Sequence, residues 1–562
     1  MRRPSALFPW LAALLSFLAF LPALDGSFQD FDDAANIVEN PEYRGLGLAR
    51  LRWMFTAFLG GHYIPVTWMS FGLDYHLYGM APWGYHLTNL LLHSANAALV
   101  FFLAKRLLAA ARPEAPPLPL DLCALFAALH FGIHPLRAES VCWVTERRDV
   151  LCGLFFLGSA LFHLRRLESE GRGGGGPSIA LFALALLSKV SALALPFMLL
   201  AADLTPLKRV PTDRPLLRWE PWAPLVREKL PYLALSAAAA LIAFVAQSHQ
   251  ATGLIPLTGH GLASRLVQSC YGLVFYVRKS LWPGDLSPMV DLLPPLSPLA
   301  PAFAASLLAA AAALAWAAAR LRRGKPGLAC AAFAYAAMVF PVLGFFQNGA
   351  QLVADRYSYL ACLPWTLLAA GWLLASRARR LAAVLCAAYL LALGCRAYAQ
   401  ARLWRDPVVL WDHALALDPL SPRSNEMRAL AAVQRRDWAT VVRTLERCES
   451  VRPVFVLTRS HWCSALVGLG RWDEAAAKCG EVLRALPGSD PVRRNLARAH
   501  NNLCAEALKA MRFAEAEDRC RSALSVLPEH PSARRNLCGL LTLQGRRSEA
   551  KRFCRAGGPT PQ

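Results

Sequence analysis

The residues best suited to chemistry lie in a polar stretch, residues 25–93, that follows the first apolar segment of the chain. Two neighbouring carboxylates, Asp32 and Asp33, stand near its start, and such a pair can take a proton from a hydroxyl group. Because like charges repel, one carboxylate is expected to have a raised pKa. Polar side chains that would support the pair are His62, Tyr63, His86 and Asn89. Asp and Asn are also common turn residues, so an ordinary solvated loop is the alternative.

A second acidic segment, residues 134–149, contains Glu139, Glu146 and Asp149. On one continuous helix these three acids lie within about 80° of one another, on a single face. Ionisable groups close to a membrane are costly, so we expect them to line a polar cavity or to pair with the neighbouring arginines. The alternative is an interfacial amphipathic helix with internal salt bridges.

The composition indicates a membrane protein with a second, water-soluble part. Of the 562 residues, 56% are hydrophobic. No stretch after residue 399 approaches the roughly 20 apolar residues that a bilayer-crossing helix needs. The net charge of +22 would suit a nucleic-acid partner, but many Lys and Arg residues flank apolar segments and no nucleic-acid motif is present. We therefore attribute the charge to membrane topology and anionic lipid, and expect no nucleic acid.

Eleven apolar segments are predicted to cross the membrane. Their approximate limits are 7–24, 87–108, 121–137, 149–164, 178–202, 230–247, 267–282, 299–320, 327–347, 357–375 and 380–398. An odd number places the termini on opposite sides, and basic residues mark the cytoplasmic side, which holds the N-terminus. The basic loop 203–229 is an exception, because this count places it outside. A break of segment 178–202 at Lys189, into two short or re-entrant pieces, would explain the exception.

The C-terminal part shows an internal repeat. Proline recurs every 34 residues, at Pro419, Pro453 and Pro487. This period, with a proline at the end of each unit, is typical of tetratricopeptide repeats, which stack helix pairs into a solenoid that binds peptides or proteins. The sequence therefore predicts an all-α protein, with a polytopic membrane helix bundle of about eleven spans in residues 1–400 and a repeat solenoid in residues 401–562. The first outer loop of the bundle is predicted at residues 25–86.

Four short segments carry a resemblance to a known family. They are Asn36 to Pro41, Tyr85 to His93, His134 to Asp149 and Ala354 to Tyr357. Followed by the repeats, they resemble the transmembrane and tetratricopeptide repeat-containing family, which includes O-mannosyltransferases of the endoplasmic reticulum and many bacterial relatives. The resemblance implies a fold similar to the GT-C glycosyltransferases, which take sugar from a polyprenyl-phosphate donor at the outer or luminal face. It also implies that Asp32, Asp33 and Glu139 are catalytic.

The reaction that this resemblance implies suits the residue types. Transfer of a sugar from its phosphate with inversion needs a base for the acceptor hydroxyl and positive charge for the departing phosphate. We predict that Asp32 or Asp33 is the base and that the other orients it. Arg148 and Arg356 are predicted to bind the phosphate, because a guanidinium can bind two of its oxygens, with Lys189 as a third candidate. The predicted supporting residues are His62, Tyr63, His86, Asn89, His134, Asp149 and Asp355.

Three functions are compatible with these features. The leading hypothesis is a membrane glycosyltransferase whose repeats bind the acceptor protein or a partner. The alternatives are a non-catalytic, membrane-anchored repeat scaffold and a transporter of lipid or glycan. The enzyme would use a polyprenyl-phosphate sugar as donor but no obligatory metal, since no His or Cys completes a metal-binding set. We expect a bacterial inner membrane with periplasmic repeats or, in a eukaryote, the endoplasmic reticulum membrane with luminal repeats.

Six of the seven cysteines in the repeats form pairs with an identical spacing of 16 residues: Cys463 with Cys479, Cys504 with Cys520, and Cys538 with Cys554. The turn of each repeat falls midway between the paired positions, so the two cysteines stand at the same height on facing helices. The first of each pair takes a small-residue position where the helices approach closely, which allows a Cα separation under about 7 Å. We predict three disulfides, formed in an oxidising compartment. The alternative is that Cys serves here as a small buried apolar residue.

Alkylation of the denatured, unreduced protein from its native membrane tests this pairing. We expect one repeat cysteine, Cys448, to react at once and the other six to react only after reduction. Each disulfide would stabilise its repeat by about 3 kcal/mol if it is unstrained, because it limits the freedom of the unfolded chain. Seven reactive repeat cysteines without reduction would contradict the pairing.

Overall fold

The computed structural model is almost entirely helical, as predicted, and it describes residues 4–169, 175–211, 219–249, 255–293, 295–347, 349–377 and 379–554. The chain divides into two compact units, residues 1–413 and 414–562. Within the described ranges, the strands are two short ones, β1 (Val290–Asp291) and β2 (Gln351–Val353), which pair antiparallel. The predicted all-α class is therefore confirmed.

The α-helices described in the first unit follow one another along the chain, separated by connections that range from single residues to long loops. They are α1 (Phe8–Ala19), α2 (Leu48–Thr56), α3 (Pro65–Tyr78), α4 (Pro82–Ala111), α5 (Pro117–Gly132), α6 (Ala138–Cys142), α7 (Arg147–Glu168), α8 (Gly176–Ser188), α9 (Leu195–Leu204), α10 (Ala223–Ser248), α11 (Leu262–Leu281), α12 (Pro301–Arg322), α13 (Gly327–Val339), α14 (Ser358–Ala361), α15 (Leu363–Ala375) and α16 (Arg379–Leu403). Many begin with proline in the first turn, where the missing N–H has no partner to lose and the fixed φ suits a helix. Helix α17 (Pro407–Leu417) crosses the boundary between the units.

Five of the described helices are long and apolar enough to cross a membrane: Pro82–Ala111, Val144–Glu168, Ala223–Ser248, Pro301–Arg322 and Arg380–Leu403. Two further pairs of helices would make seven if each bent pair forms one span. Those pairs are Pro117–Gly132 with Pro135–Cys142 and Asp355–Ala361 with Leu363–Ala375. Several other apolar helices, such as α1, are shorter. The count of eleven crossings therefore stays a prediction.

The helix bundle of the first unit has two ends, which we name by their residues. The outer end carries Asp32, and the inner end carries Arg106. Helix α7 begins at the outer end, because the N–H of Thr145 just before it donates to Asp33 at 2.8 Å. It ends at the inner end, where Glu168 forms an ion pair with Arg106 of α4.

Segment 176–204 is a helical hairpin and not a single crossing helix. Helix α8 runs antiparallel to α7, since Ser159 donates to the Ser178 carbonyl at 2.7 Å and the Cys152 thiol lies 3.8 Å from the Lys189 carbonyl. The backbone is extended at Lys189, with φ −157° and ψ 130°, and this ends α8. Helix α9 then leads back, so the tip of the hairpin carries Lys189 toward the outer end.

The loop after the hairpin lies at the inner end. Glu228 of α10 is 3.0 Å from Arg166 of α7 and 2.8 Å from Arg209 in the loop. Asp203 of α9 also pairs with Arg209, at 2.8 Å. The prediction that loop 203–229 lies outside is therefore wrong, because the hairpin returns the chain to the end from which it started. Residues 212–218 of this loop lie outside the described part, and the basic residues around them now agree with the other positive inner loops.

Helix α11 lies along the outer end of the bundle. Near its start Gln268 donates to the Leu352 carbonyl at 3.1 Å, and near its end the Ser280 carbonyl is 3.1 Å from Nε2 of His134. Both partners belong to outer-end segments, so predicted segment 267–282 does not lead from one end to the other. If neither this segment nor segment 178–202 crosses, nine of the eleven predicted crossings remain, which is also an odd number, and the count stays a prediction.

Close packing of α4 against α7 fixes the helices beneath the outer end. Gly153 allows this approach, since a Cβ atom there would lie 2.8 Å from the Asn96 amide nitrogen. That nitrogen donates to the Val150 carbonyl at 2.8 Å and to the Tyr359 hydroxyl at 2.9 Å. Small residues and buried polar groups of this kind stabilise contacts between membrane helices, where the apolar driving force is weak.

The second unit contains four described helix pairs: α18 (Pro422–Gln434) with α19 (Trp438–Val451), α20 (Val456–Gly468) with α21 (Trp472–Ala485), α22 (Asp490–Lys509) with α23 (Phe513–Val526), and α24 (Pro531–Leu543) with α25 (Arg547–Cys554). Each pair turns at a residue in the left-handed conformation: Arg436, Gly470, Met511 and Gly545, with φ from 55° to 77°. The N–H of the next residue bonds to a carbonyl five positions back, as in a Schellman cap. Helix α22 has 20 residues where the first helices of the other pairs have 13, so it is longer by about two turns.

The three predicted cysteine pairs lie within these helix pairs. Their Cα separations are 5.0, 5.3 and 5.2 Å, with the sulfur atoms at bonding distance. Cys448 is buried and outside these pairs. In the first helix pair the equivalent positions hold Ala429 and Leu445, both fully buried. Cys463, Cys479, Cys504 and Cys520 are also fully buried, whereas Cys538 is partly buried and Cys554 is exposed. Burial at these positions therefore does not require a bond, and the disulfides stay a prediction that alkylation decides.

Reporter fusions test the side on which each loop lies. We expect a fluorescent protein that folds only in the cytoplasm to be active when fused after Lys208 or Arg323 and inactive when fused after Arg402. The reason is that the hairpin returns Lys208 to the inner end, whereas an odd number of crossings places Arg402 outside. A fusion after Lys208 that is active only outside would contradict the hairpin.

Candidate active site

The first outer loop is anchored to the start of α7 by an aromatic cluster. Tyr43, Trp68, Phe71 and Tyr85 are all nearly fully buried, and the rings of Tyr43 and Trp68 stack at 6.3 Å. Large rings of this kind bury much apolar area and favour offset or edge contacts. The Arg147 guanidinium lies over the Phe71 ring, 5.0 Å from its centre. These side chains therefore form a rigid layer of the loop that packs against α7.

Asp33 joins this loop to the segment before α7. One of its carboxylate oxygens accepts from the N–H of Thr145 at 2.8 Å and from the Thr145 hydroxyl at 2.5 Å. The other accepts from the Gln29 N–H at 2.9 Å, and the side chain is completely buried. Burial raises the pKa of Asp33 to about 7, against the opposing effect of these hydrogen bonds, and the charge of Asp32 adds only the smallest contribution. With these partners, Asp33 suits an orienting role better than that of a proton acceptor.

Asp32 differs from its neighbour because it is partly exposed. Its charge interacts with that of Asp33 and with that of Arg148 at the start of α7. A nearby guanidinium favours the ionised form of a carboxylate. Of the two predicted bases, Asp32 is therefore the one that an acceptor hydroxyl could reach from outside.

Glu146 lies at the centre of a charged cluster, which we define as Glu139, Glu146, Arg148, Asp149, Lys189 and Arg356. Its carboxylate is fully buried and bonds three cations. Arg148 contacts both carboxylate oxygens, Lys189 Nζ lies 3.0 Å from one, and Arg356 Nε lies 3.2 Å from the other. A buried carboxylate requires such compensation, because an unpaired charge in the interior is very costly.

The other two carboxylates of the cluster, Asp149 and Glu139, pair with the same cations. Asp149 lies 2.6 Å from Lys189, and its second oxygen accepts from Ser140 at 3.0 Å. Glu139 pairs with the Arg356 guanidinium and accepts from the Arg356 N–H at 2.8 Å. All three cations predicted to bind phosphate are thus brought together, each against a carboxylate.

The prediction that these acids share one continuous helix is wrong. The backbone is extended at Trp143, with φ −92° and ψ 120°, which separates α6 from the turn that leads into α7. The Asn89 amide donates to the Val141 and Trp143 carbonyls, at 3.2 Å each, which a continuous helix would have bonded internally. The acids therefore meet through tertiary packing and not through helical spacing.

His62 lies close to this cluster. It is partly buried, and its ring interacts electrostatically with Arg148, Glu146, Lys189 and Arg356. Burial and these cations lower the pKa of His62 to about 3, against the opposing effect of Glu146. The imidazole is therefore neutral near pH 7, so it can donate and accept hydrogen bonds but adds no charge.

Other predicted supporting residues lie apart from the cluster. Tyr63 donates to the Phe55 carbonyl at 3.1 Å in an exposed part of the loop. His86 is buried in α4 beside Gly26, and His134 accepts from the Leu136 N–H at 3.2 Å as a helix cap. Asp355 is the exception, because it is buried beside Glu139 of the cluster. The contacts of Tyr63 and His134, like those of Asn89, position backbone segments.

One buried pair beside the cluster was missed from the sequence. Arg147 lies 2.6 Å from Asp74 of α3, with both side chains buried. Thr88 donates to the other oxygen of Asp74 at 2.8 Å, and the Arg147 guanidinium also donates to Asn89. A single acid in the otherwise apolar sequence 65–78 was the available signal, since a buried carboxylate needs a partner.

The positive charges of the charged cluster belong to the side chains of Arg148, Lys189 and Arg356. Among the residues that the structure describes, no group of three or more His, Cys, Asp or Glu side chains is arranged to hold a metal ion. The absence of an obligatory metal stays a prediction.

Titration of Asp33 predicts how stability depends on pH. Folding raises the pKa of Asp33 from 3.8 to about 7 and so favours its protonated form. Its contribution to the free energy of unfolding is greatest below about pH 4 and is lost as the pH rises through about 7. We therefore expect the thermal unfolding midpoint of the wild type to decrease as the pH is raised from about 5 to about 8. The reference is the midpoint of Asp33→Asn, whose side chain at this position cannot titrate. Parallel pH curves for the two proteins would contradict this.

Comparison with known proteins finds partial relatives. The chain is 32% identical over 173 residues to Protein O-mannosyl-transferase tmtc2 of Xenopus laevis, which covers 29% of this chain and 19% of that protein. It is 31% identical over 193 residues to Protein O-mannosyl-transferase TMTC4 of Homo sapiens, covering 31% and 26%. For Protein O-mannosyl-transferase Tmtc1 of Drosophila melanogaster the identity is 30% over 209 residues, covering 36% and 23%. No family model matches. The chain thus matches about a fifth to a quarter of the length of these curated relatives, and their names agree with the resemblance found in the sequence.

Proposed function

We propose that the protein is a membrane glycosyltransferase that moves a sugar from a polyprenyl-phosphate donor to a hydroxyl group of a protein at the outer end of the bundle. The observation that carries the proposal is the charged cluster around Glu146, with the partly exposed carboxylate of Asp32 beside it. The relatives are named protein O-mannosyl-transferases, so mannose and a Ser or Thr hydroxyl are the first donor and acceptor to test.

Asp32 is the base in this proposal. As the acceptor oxygen attacks the anomeric carbon, its proton passes to the Asp32 carboxylate, and the bond from that carbon to the phosphate oxygen breaks with inversion. A positioned base of this kind contributes about two to four orders of magnitude to the rate. Asp33 orients the segment by its three hydrogen bonds, and Arg148 stabilises the ionised form of Asp32 until the proton arrives.

The cations of the cluster stabilise the departing phosphate. Lys189, with 15% of its side chain exposed, is the most accessible of the three, whereas Arg356 and Arg148 expose 6% and 8%. Because carboxylates already fix their positions, the cations need little rearrangement when negative charge develops on the phosphate. Lys189 is therefore placed to contact the phosphate first, and the two arginines lie behind it.

The repeats are proposed to bind the acceptor protein or a partner. Stacked helix pairs offer a long surface that suits an extended polypeptide. An odd number of crossings would place them on the same side of the membrane as Asp32. That side is the periplasm for a bacterial inner membrane or the lumen for the endoplasmic reticulum.

Replacement of the base tests the proposal. In membranes supplied with radiolabelled polyprenyl-phosphate mannose, Asp32→Asn should lose at least about two orders of magnitude of transfer to protein. Its unfolding midpoint should stay near the wild-type value, because the side chain is partly exposed. The matched control is Glu39→Gln, which removes an exposed carboxylate of the same loop and should leave transfer unchanged.

Two outcomes would favour the other hypotheses. No covalent sugar product from the wild type under any donor tested would contradict the enzyme and favour a repeat scaffold, whereas full transfer by Asp32→Asn would contradict only the role of Asp32 as the base. Movement of the labelled lipid or glycan across the membrane without a protein product would favour a transporter.

A further inference from the structure

Two neighbouring cavities occupy the inner end of the bundle, far from the charged cluster. The first has a volume of about 260 Å³ and lies between α4, α7, α9, α13 and α15. Its walls are apolar, with Leu108, Leu164, Leu199 and Ala331 among them. Genuinely apolar cavities take up apolar ligands and not water. This space therefore suits a hydrocarbon chain.

The second cavity is polar and meets the first at Leu164, which lines both. Its volume is about 600 Å³, and its charged lining residues are Arg106, Arg166, Glu168, Arg209 and Glu228. The three arginine side chains are 26%, 25% and 29% exposed, so each can accept another partner.

The charges around the polar cavity are unequal. Arg106 pairs with Glu168, and Arg166 and Arg209 belong to a network with Glu228, Lys229 and Asp203, the last two behind the wall. Together, four Lys and Arg side chains face three carboxylates, Glu168, Glu228 and Asp203. One positive charge is therefore in excess, and a ligand with a single negative charge would balance it. Guanidinium groups match the oxygens of a phosphate in charge and geometry.

We propose that the paired cavities bind an anionic phospholipid of the inner leaflet. Its phosphodiester lies among Arg106, Arg166 and Arg209, and one acyl chain enters the apolar cavity past Leu164. A membrane lipid has both parts in this order, and basic residues at the cytoplasmic surface attract anionic headgroups. The proposal does not depend on the proposed function, since the site lies at the opposite end of the bundle from Asp32.

A photoactivatable lipid tests this site in the full-length protein. The protein is reconstituted into phosphatidylcholine vesicles with either phosphatidylglycerol or phosphatidylcholine that carries a diazirine on one acyl chain, and cross-links are mapped by mass spectrometry. We expect cross-links in the residues of α9 and α13 that line the apolar cavity. Labelling by phosphatidylglycerol should exceed labelling by phosphatidylcholine by about fivefold or more, because the attraction of one net charge at a membrane surface corresponds to about this ratio.

Two variants and a control distinguish binding of the lipid headgroup from binding of the acyl chain. Arg166→Gln should lower labelling by phosphatidylglycerol about fivefold and that by phosphatidylcholine less, because the choline cation offsets the charge of the same phosphodiester. Ala331→Trp should abolish labelling by both lipids, because the indole fills the cavity. Arg323→Gln removes an exposed arginine that lines neither cavity and should change nothing.

Three results would overturn the proposal. Equal labelling by the two lipids would show that the cations do not select a headgroup. Labels spread over lipid-facing helices, with none in the cavity, would show that only annular lipid is present. No cavity label from either lipid, in a protein that binds inorganic phosphate at these arginines, would show that the arginines bind free phosphate and not a lipid.

Discussion

The buried carboxylate of Glu146 is the group on which the outer end of the first unit depends. Three cations from different parts of the chain converge on it: Arg148 from α7, Lys189 from the tip of the α8–α9 hairpin, and Arg356 from the turn before α14. Removal of water from any of these charges would be unfavourable alone, so the pairs are stable only when all parts are in place. One interaction thus joins three segments that are distant in sequence.

This arrangement links the fold to the proposed chemistry. The first outer loop contacts the same region through Asp33 and Thr145, and the Asp74–Arg147 pair binds α3 to the start of α7. The partly exposed Asp32 therefore stands on a rigid base beside cations whose positions are already fixed. Preorganised charges of this kind are most effective where negative charge develops during a reaction.

Most members of the charged cluster could be predicted from the sequence, but the way in which they are connected could not. Glu139, Glu146, Arg148, Lys189 and Arg356 were recognisable as ionisable residues beside apolar segments. The helix break at Trp143 was not, because the Asn89 amide that bonds the freed carbonyls comes from a distant helix. The hairpin was only partly foreseen, since an apolar segment with a lysine at its centre has the same composition whether it crosses or returns. The basic residues of the following loop, 203–229, show that the segment returns only once the ion pairs of Glu228 are known.

The most direct measurement compares the unfolding midpoints of Glu146→Gln and Glu168→Gln in the purified protein. Glu146 is fully buried and bonds three cations, whereas the Glu168 side chain is 57% exposed in its pair with Arg106. Loss of one partner from a buried pair costs about 3–5 kcal/mol, and loss of an exposed pair costs about 0–1 kcal/mol. We predict that Glu146→Gln unfolds several degrees below the wild type, while Glu168→Gln stays close to it. Equal midpoints for the two variants would contradict the central place of Glu146.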